Sequence, residues 1–465
     1  MLPAIALVGR PNVGKSTLFN QLTGSRDALV ADYPGLTRDR RYGFGNFEGR
    51  SFIVIDTGGL GDSTEELESL AAEQAHIAME EADLVVFVVD HRDGLTAADQ
   101  NIADQLRSSN KLVTIAVNKS EGLAPELAEA EFHRLGLGSP VGIAALHGRG
   151  LITLMGTVLA PFEVNEELDE SGDDIRGSEK PHLAVVGRPN VGKSTLINRL
   201  LGADRMVTSS QPGTTRDSVL VPCERGDRKF VLVDTAGIRR RARVNDTIEK
   251  FSIVQSLKAI ENSGVVILLL DAREGLTEQD LSLIGLIIER GRALTIGVNK
   301  WDGIATSHRR QVEAEVDRKL VFAGFARVNY ISALHGSGID SVINAALTAY
   351  EAAGREFSTP RLNQILERAL TVHPPPLVGG RRIRLRYAHQ GGRRPPILII
   401  HGNRTERLPA DYRRYLVNTF RKTLRLEGVP LRVELKSGEN PYSGRRNSLT
   451  RGQLARRRRV IRHGR

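Results

Sequence analysis

Short continuous apolar runs, each closed by glycine or a polar cluster, recur through the first 336 residues. Ala4-Ile5-Ala6-Leu7-Val8, Phe52-Ile53-Val54-Ile55, Leu84-Val85-Val86-Phe87-Val88-Val89 and Leu112-Val113-Thr114-Ile115-Ala116-Val117 have strand length and little polar alternation. Runs of that kind predict strands covered on both faces. Between them the spacing turns helical, over Thr17-Leu18-Phe19-Asn20-Gln21-Leu22 and over roughly residues 66–81. A last run reaches Ile143-Ala144-Ala145-Leu146-His147-Gly148. Strands alternating with helices predict an α/β layer fold, with a mostly parallel sheet and helices on both faces.

The pattern then repeats as a whole. Leu183-Ala184-Val185-Val186 reopens it, a helical stretch follows at Thr195-Leu196-Ile197-Asn198-Arg199-Leu200, and Ile331-Ser332-Ala333-Leu334-His335-Gly336 closes it. Matched positions lie 178 residues apart up to Ile238, and Asp90 and Asn118 lie 181 from Asp271 and Asn299, which places a three-residue insertion near Arg239-Arg240-Arg241-Ala242-Arg243. The repeat is one of whole domains, expected over residues 1–161 and 181–355. Residues 162–180 carry Glu163, Glu166, Glu167, Asp169, Glu170, Asp173, Asp174 and Glu179 among Ser and Gly, a composition expected of a flexible acidic linker.

A third module is expected over 356–440. Leu362-Asn363-Gln364-Ile365-Leu366 reads as helix, ended by Pro374-Pro375-Pro376. Ile383-Arg384-Leu385-Arg386-Tyr387 and Ile397-Leu398-Ile399-Ile400 read as strands, Tyr412 to Leu426 as helix, and Leu431-Arg432-Val433-Glu434-Leu435 as a final strand. Residues 441–465 form a basic tail that ends in Arg456-Arg457-Arg458-Arg459-Val460-Ile461-Arg462-His463-Gly464-Arg465.

Charge changes the picture most at that end. Residues 360–465 hold 26 Lys+Arg against 6 Asp+Glu, while the remainder holds 39 against 49, so a net charge of +10 divides into +20 and −10. The basic surface sought by an anionic partner therefore lies at the C-terminal end. No apolar run approaches the roughly 18 residues of a membrane span, and because the sequence enters a strand pattern within four residues no signal peptide is expected. A single cysteine, Cys223, excludes an internal disulfide framework and suits a reducing cytoplasm.

Candidate chemistry sits at the ends of the apolar runs. Gly9-Arg10-Pro11-Asn12-Val13-Gly14-Lys15-Ser16 recurs letter for letter as Gly187-Arg188-Pro189-Asn190-Val191-Gly192-Lys193-Ser194. Both fit G-x-x-x-x-G-K-[ST] between a strand and a helix, the phosphate-binding loop. Its glycines let backbone N–H groups wrap a phosphate chain at a helix N-terminus, its lysine brings a point charge to the outer phosphates, and its serine hydroxyl can ligate Mg²⁺. Downstream come Thr37 and Thr215 in turn-rich segments, Asp56-Thr57-Gly58-Gly59-Leu60 and Asp234-Thr235-Ala236-Gly237-Ile238, then Asn118-Lys119-Ser120-Glu121 and Asn299-Lys300-Trp301-Asp302, and finally Ala145 and Ala333.

In that order these motifs resemble the five guanine-nucleotide motifs of the translation-factor-like GTPases. Two such domains in tandem, followed by a small basic module, resemble the Der (EngA) family of bacterial ribosome-assembly GTPases over essentially the full length. The αββαβ order of the third module is similar to that family's KH-like domain, although no G-x-x-G occurs in it to clamp a nucleotide backbone. A second reading of that module is that it senses the state of the second GTPase domain.

The resemblance implies roles residue by residue. Asp56 and Asp234 would hold Mg²⁺ through water, with Ser16 and Ser194, and Thr37 and Thr215 would complete its shell only beside a γ-phosphate, making their loops an order–disorder switch. Gly59 and Gly237 would offer N–H to the γ-phosphate. Asp302 would accept from guanine N1–H and N2–H₂, charge-assisted bonds of about 1.5–3 kcal/mol each that adenine cannot make. Glu121 keeps the carboxylate in the first copy but adds a methylene. Asn118 and Asn299 would tie the base to the phosphate loop, Lys119 and Lys300 would pack along it, and Ala145 and Ala333 would donate backbone N–H to the base carbonyl.

Leu60 and Ile238 stand where Ras-like GTPases carry the water-orienting glutamine. The resemblance suggests K⁺ as the source of the missing positive charge, with Asn12 and Asn190 as ligands; the alternative is that these asparagines only shape the loop. The expected partners are the large ribosomal subunit and its rRNA, reached by a cytoplasmic monomer through its arginines. A GTPase assisting tRNA modification is the alternative; a membrane-remodelling GTPase would need a lipid-binding helix that the sequence lacks.

Overall fold

The computed structural model describes residues 2–24, 41–57, 76–109, 111–122, 125–162, 180–203, 220–233, 253–378 and 381–437. Contacts divide the chain into two units, residues 1–355 with Leu426–Pro430, and the rest.

The first unit holds two six-stranded sheets. In the first, β1 (Ala4–Val8), β2 (Arg41–Phe47), β3 (Arg50–Asp56), β4 (Leu84–Asp90), β5 (Leu112–Asn118) and β6 (Val141–Gly142) take the order β2-β3-β1-β4-β5-β6. All neighbours are parallel except the β2–β3 hairpin. The second repeats it with β7 (His182–Val186), β8 (Val221–Arg225), β9 (Arg228–Leu232), β10 (Val265–Asp271), β11 (Ala293–Asn299) and β12 (Arg327–Tyr330), ordered β12-β11-β10-β7-β9-β8. Here too only the β8–β9 hairpin is antiparallel. Every residue of β1, β4 and β10 is buried, as continuous apolar strands require when helices cover both sheet faces. Of the helix expected over residues 66–81, residues 76–81 are described and are helical; the rest lies outside the described residues, as do nearly all of 162–180 and all of 438–465.

The strand order dictates where a ligand can bind. β1 lies between β3 and β4, and β7 between β9 and β10, so the strand order reverses beside the first strand of each copy. A crevice opens at the carboxyl ends of the strands at such a point. Register carries the motif residues there: Leu7 faces Asp56, Asp90 faces Asn118 and Asp271 faces Asn299.

One apolar cluster includes buried residues of both sheets and their helices, among them Met79, Val85 and Phe87 of the first copy and Ile253, Leu257 and Leu268 of the second. Lys258 donates to Asp83 at 2.7 Å, a carboxylate that also accepts from the N–H of Ala4. The Arg290 guanidinium lies 3.3 Å from the centre of the Phe44 ring, a cation–π contact between the copies. The segment Leu426–Pro430 belongs to this unit: the N–H of Gly428 donates to the Phe325 carbonyl and its carbonyl accepts from Leu294 N–H, both at 2.7 Å.

The second unit is a three-stranded sheet, β15 (Arg384–Gly392), β16 (Ile397–Asn403) and β17 (Arg432–Ser437), with helices Thr359–Val372 and Ala410–Leu424. β15 and β16 are antiparallel, β16 and β17 parallel. A two-residue hairpin, β13 (Leu377–Val378) with β14 (Arg381–Arg382), is added to the expected αββαβ order. Leu362, Ile365, Leu366 and Ala369 on one helix and Tyr412, Leu416, Phe420 and Leu424 on the other are buried, with spacing of three and four. They cover Leu385, Ala388, Leu398 and Ile400 of the sheet.

Candidate functional site

Each phosphate loop is shaped by what lies under it. Gly14 and Gly192 have φ of +96° and +97°, and a Cβ there would lie 2.3 Å and 2.2 Å from Nδ2 of Asn118 and Asn299. Glycine is required twice over, by the left-handed backbone and by the close approach. Asn12 and Asn190 also have positive φ, 65° and 60°, a conformation that asparagine tolerates better than most side chains.

The same two asparagines organise the base end. Asn118 donates from Nδ2 to the Val13 carbonyl at 2.8 Å and accepts at Oδ1 from Ala145 N–H at 3.0 Å. Asn299 repeats this with Val191 at 2.7 Å and Ala333 at 2.8 Å. One buried side chain thus joins three loops in each copy. The N–H groups of Ala145 and Ala333, expected to meet a base carbonyl, are donated to the asparagines in this structure, which satisfies a buried amide oxygen within the protein.

Lys15 donates to the carbonyls of Gly9 and Arg10 at 2.7 and 2.8 Å, and Lys193 to that of Arg188 at 2.6 Å. Burial pushes the Lys15 ammonium down to about 8, with Asp56 opposing that shift and Arg10 adding to it. Asp56 is fully buried at the end of β3. Thr57 hydroxyl donates to the Leu7 carbonyl at 2.7 Å, so it ties β3 to β1. Lys119 donates to the Asn12 carbonyl at 2.9 Å and pairs with Asp90, and Lys300 pairs with Asp271. Both lysines are thereby stretched between the base loop and the central strand. Ser120 hydroxyl donates to the Ile143 carbonyl, and Trp301 lies with its ring 4.2 Å from that of Tyr330.

The two carboxylates expected to meet guanine are differently partnered. Glu121 accepts from Arg92 at 3.1 Å. Asp302 lies 3.0 Å from His335 Nε2, and a hydrogen bond from Ser332 holds its carboxyl below the usual range, with the charges of His335 and Arg273 acting the same way.

Some members of the arrangement were not read from sequence. Arg10 reaches Asp93 at 2.7 Å and Asp99 at 3.5 Å; Arg188 reaches Glu274 at 2.8 Å and Asp280 at 3.0 Å. Asp99 and Asp280 are fully buried and close capping boxes with Thr96 and Thr277. The phosphate loop is therefore braced on the N-terminus of a neighbouring helix. The spacing Thr96-x-x-Asp99 resembles the capping-box signature and could have signalled the helix start.

Pro11, Ser16, Pro189 and Ser194 lie in the described loops and helix starts. Thr37, Gly58, Gly59, Leu60, Thr215, Asp234, Thr235, Ala236, Gly237, Ile238 and Arg239–Arg243 lie outside the described residues. Among the described residues no group of three or more His, Cys, Asp or Glu is placed to hold a metal, and no helix is long and apolar enough to cross a membrane.

Residues 4–119 and 182–300 both match the family described as 50S ribosome-binding GTPase, and residues 356–436 match the KH-domain-like C-terminal region of EngA bacterial GTPase enzymes. GTPase Der of Thioalkalivibrio sulfidiphilus is 54% identical over 463 residues, covering 100% of this chain and 99% of that protein. GTPase Der of Citrobacter koseri is 51% identical over 485 residues, with the same coverage of 100% and 99%. Among solved structures, the G domain of the T. maritima FeoB iron transporter is 26% identical over 35% of this chain and 100% of that one, with a TM-score of 0.28.

Proposed function

The chain belongs to the GTPase Der family, and on that premise we propose that it acts as a GTP-driven switch in assembly of the large (50S) ribosomal subunit. It is a GTPase, converting GTP and water to GDP and phosphate. The observation that supports the reading best is the doubled asparagine tie, in which Asn118 and Asn299 each hold a phosphate loop, a base loop and an alanine loop in one preformed site. Two such sites on one chain suit a factor that reports two nucleotide states to one partner.

Within each site, Gly14 and Gly192 keep the loop backbone open to phosphate, while Lys15 and Lys193 bring charge to its outer oxygens. Asp302 reads the guanine edge, and Glu121 does so in the first copy once it leaves Arg92. Mg²⁺ fits the donor set, since the hydroxyls of Ser16 and Ser194 and the buried carboxylate of Asp56 are hard oxygen ligands. When bound, the ion neutralises charge on the phosphate oxygens. Thr37, Thr215 and Asp234 complete the two sets by sequence correspondence. Gly59 and Gly237 offer N–H to the γ-phosphate, and Asn12 and Asn190 serve K⁺ in place of a glutamine or arginine.

The protein acts as a cytoplasmic monomer in this reading, and its basic C-terminal third supplies phosphate contacts with rRNA. Sedimentation of the chain with large subunits through sucrose gradients tests it. Co-migration with a non-hydrolysable GTP analogue and release with GDP are expected; no association in any nucleotide state overturns the assembly role.

A further inference from the structure

The sheet of the second unit carries a ring cluster that neither nucleotide site uses. Tyr387 and His389 lie two residues apart on β15, and Tyr387 pairs in register with His401 on β16. The Tyr387 and His401 rings are stacked, with centroids 4.4 Å apart and planes 7° from parallel; His389 stacks on His401 at 5.2 Å and 23°. Leu398 and Ile400 are fully buried under the helices, while Ile397, Ile399 and His401 alternate with them, so the rings stand on the opposite sheet face. Tyr387 is 45% exposed.

The surroundings carry more cations than anions. On β17, Lys436 pairs with His401, Glu434 with Ile399 and Arg432 with Ile397, and all three are exposed. Residues 356–437 as a whole carry 17 Lys+Arg against 6 Asp+Glu. His401 is held below its ordinary range, by desolvation first and then by His389 and Lys436, so at neutral pH it presents an uncharged flat ring. A cross-strand aromatic pair can serve only to stabilise a sheet. That role leaves the half-exposed Tyr387 ring and the lysine and arginine beside it unexplained.

We propose that this face binds single-stranded RNA, with an unpaired base stacked on the Tyr387–His401 cluster and Lys436 and Arg432 on the adjoining phosphates. Aromatic side chains on a sheet face take up splayed bases, and a duplex keeps its bases out of reach. The sheet thus supplies the contact that the missing G-x-x-G loop cannot. The proposal rests on the reading of the chain as a factor directed to ribosomal RNA, and it names the chemistry of one contact.

Fluorescence anisotropy of the full-length chain with a labelled, unstructured single-stranded RNA, and with a hairpin of the same composition, tests it. Tyr387→Ala is expected to weaken single-strand binding about 5- to 100-fold, the range of one lost base stack. Tyr387→Phe should stay within about twofold, because a phenyl ring also stacks. The slope of affinity against salt should be unchanged in both, since phosphate contacts persist. GTP turnover of each variant checks that it is folded. A Tyr387→Ala chain that turns over GTP normally and binds the single strand like wild type overturns the proposal. Equal affinity for hairpin and single strand overturns it as well, as does binding of a protein but of no RNA. Failure of the wild-type chain to co-sediment with large subunits would refute the assembly role and leave this measurement standing.

Discussion

The Nε2 of His335 lies 3.0 Å from the carboxylate of Asp302, so the group expected to read guanine is bridged by the loop that carries Ala333. In the first copy Arg92 takes the carboxylate of Glu121. Both pairs are partly exposed, and such pairs contribute only about 0.2–1 kcal/mol. His335→Ala and Arg92→Ala should therefore change nucleotide affinity less than about fivefold. Asp302→Ala removes the acceptor of both charge-assisted bonds, together about 3–6 kcal/mol, and should cost about 100- to 10,000-fold at the second site. Fluorescence of Trp301, the single tryptophan of the chain, reports that site alone.

Gly192→Ala should weaken nucleotide binding at the second site, because its Cβ would meet Asn299 Nδ2 at 2.2 Å on a backbone with φ +97°. Asn299→Ala removes two buried hydrogen bonds, costing roughly 1–3 kcal/mol for each group left unsatisfied. Since the two residues share one contact, the double variant should lose less than the sum of the singles. Titration of GDP against Trp301 fluorescence measures all three; additive losses would contradict the contact.

The depressed Lys15 ammonium, at about 8, gives the first site a pH dependence of definite sign. Below pH 8 the lysine is charged and favours phosphate; above it the free site has lost that charge. Affinity should fall by up to about tenfold per pH unit above 8, with a proton taken up on binding. The effect on folding runs the other way. The cost of burying the charge is present below about 8 and fades between that value and the ordinary 10.5, so this group favours the fold more as pH rises. Calorimetric GDP titrations of the Lys193→Ala chain, in buffers of different ionisation enthalpy, measure both affinity and proton uptake.

GTP turnover should be higher in KCl than in NaCl at equal ionic strength. Asn12→Ala and Asn190→Ala should each remove part of that difference with less effect on GDP affinity. Equal turnover in the two salts would leave the asparagines as loop-shaping residues, consistent with their φ of 65° and 60°.

What could be read from sequence follows from range. Strands such as Leu84–Asp90 announce themselves because burial on both faces demands an uninterrupted apolar run. β2 did not, because Gly43 and Gly45 stand where a Cβ would strike Thr23, Phe19 and Phe52; close packing selected residues that carry no strand signal. The phosphate loop and the N-K motifs were legible because their chemistry is local. The bracing of Arg188 by Asp280, 92 residues away, and the bridge from His335 to Asp302 depend on tertiary contact. The bonds from the alanine N–H groups to the asparagines were not legible for the same reason, since their acceptors lie 27 and 34 residues upstream.

Gly428 adds a constraint on how the chain can be made. Its N–H and carbonyl complete the backbone bonding of Phe325 and Leu294, and a Cβ there would sit 2.4 Å from that of Ala349. The second GTPase copy therefore lacks a piece of itself until residue 428 has been synthesised, whereas every described strand of the first is complete by residue 142. During translation the first copy can mature alone, and the second must wait for nearly the whole polypeptide. A fragment ending at residue 355 should accordingly be less stable than the same fragment supplied with its missing loop.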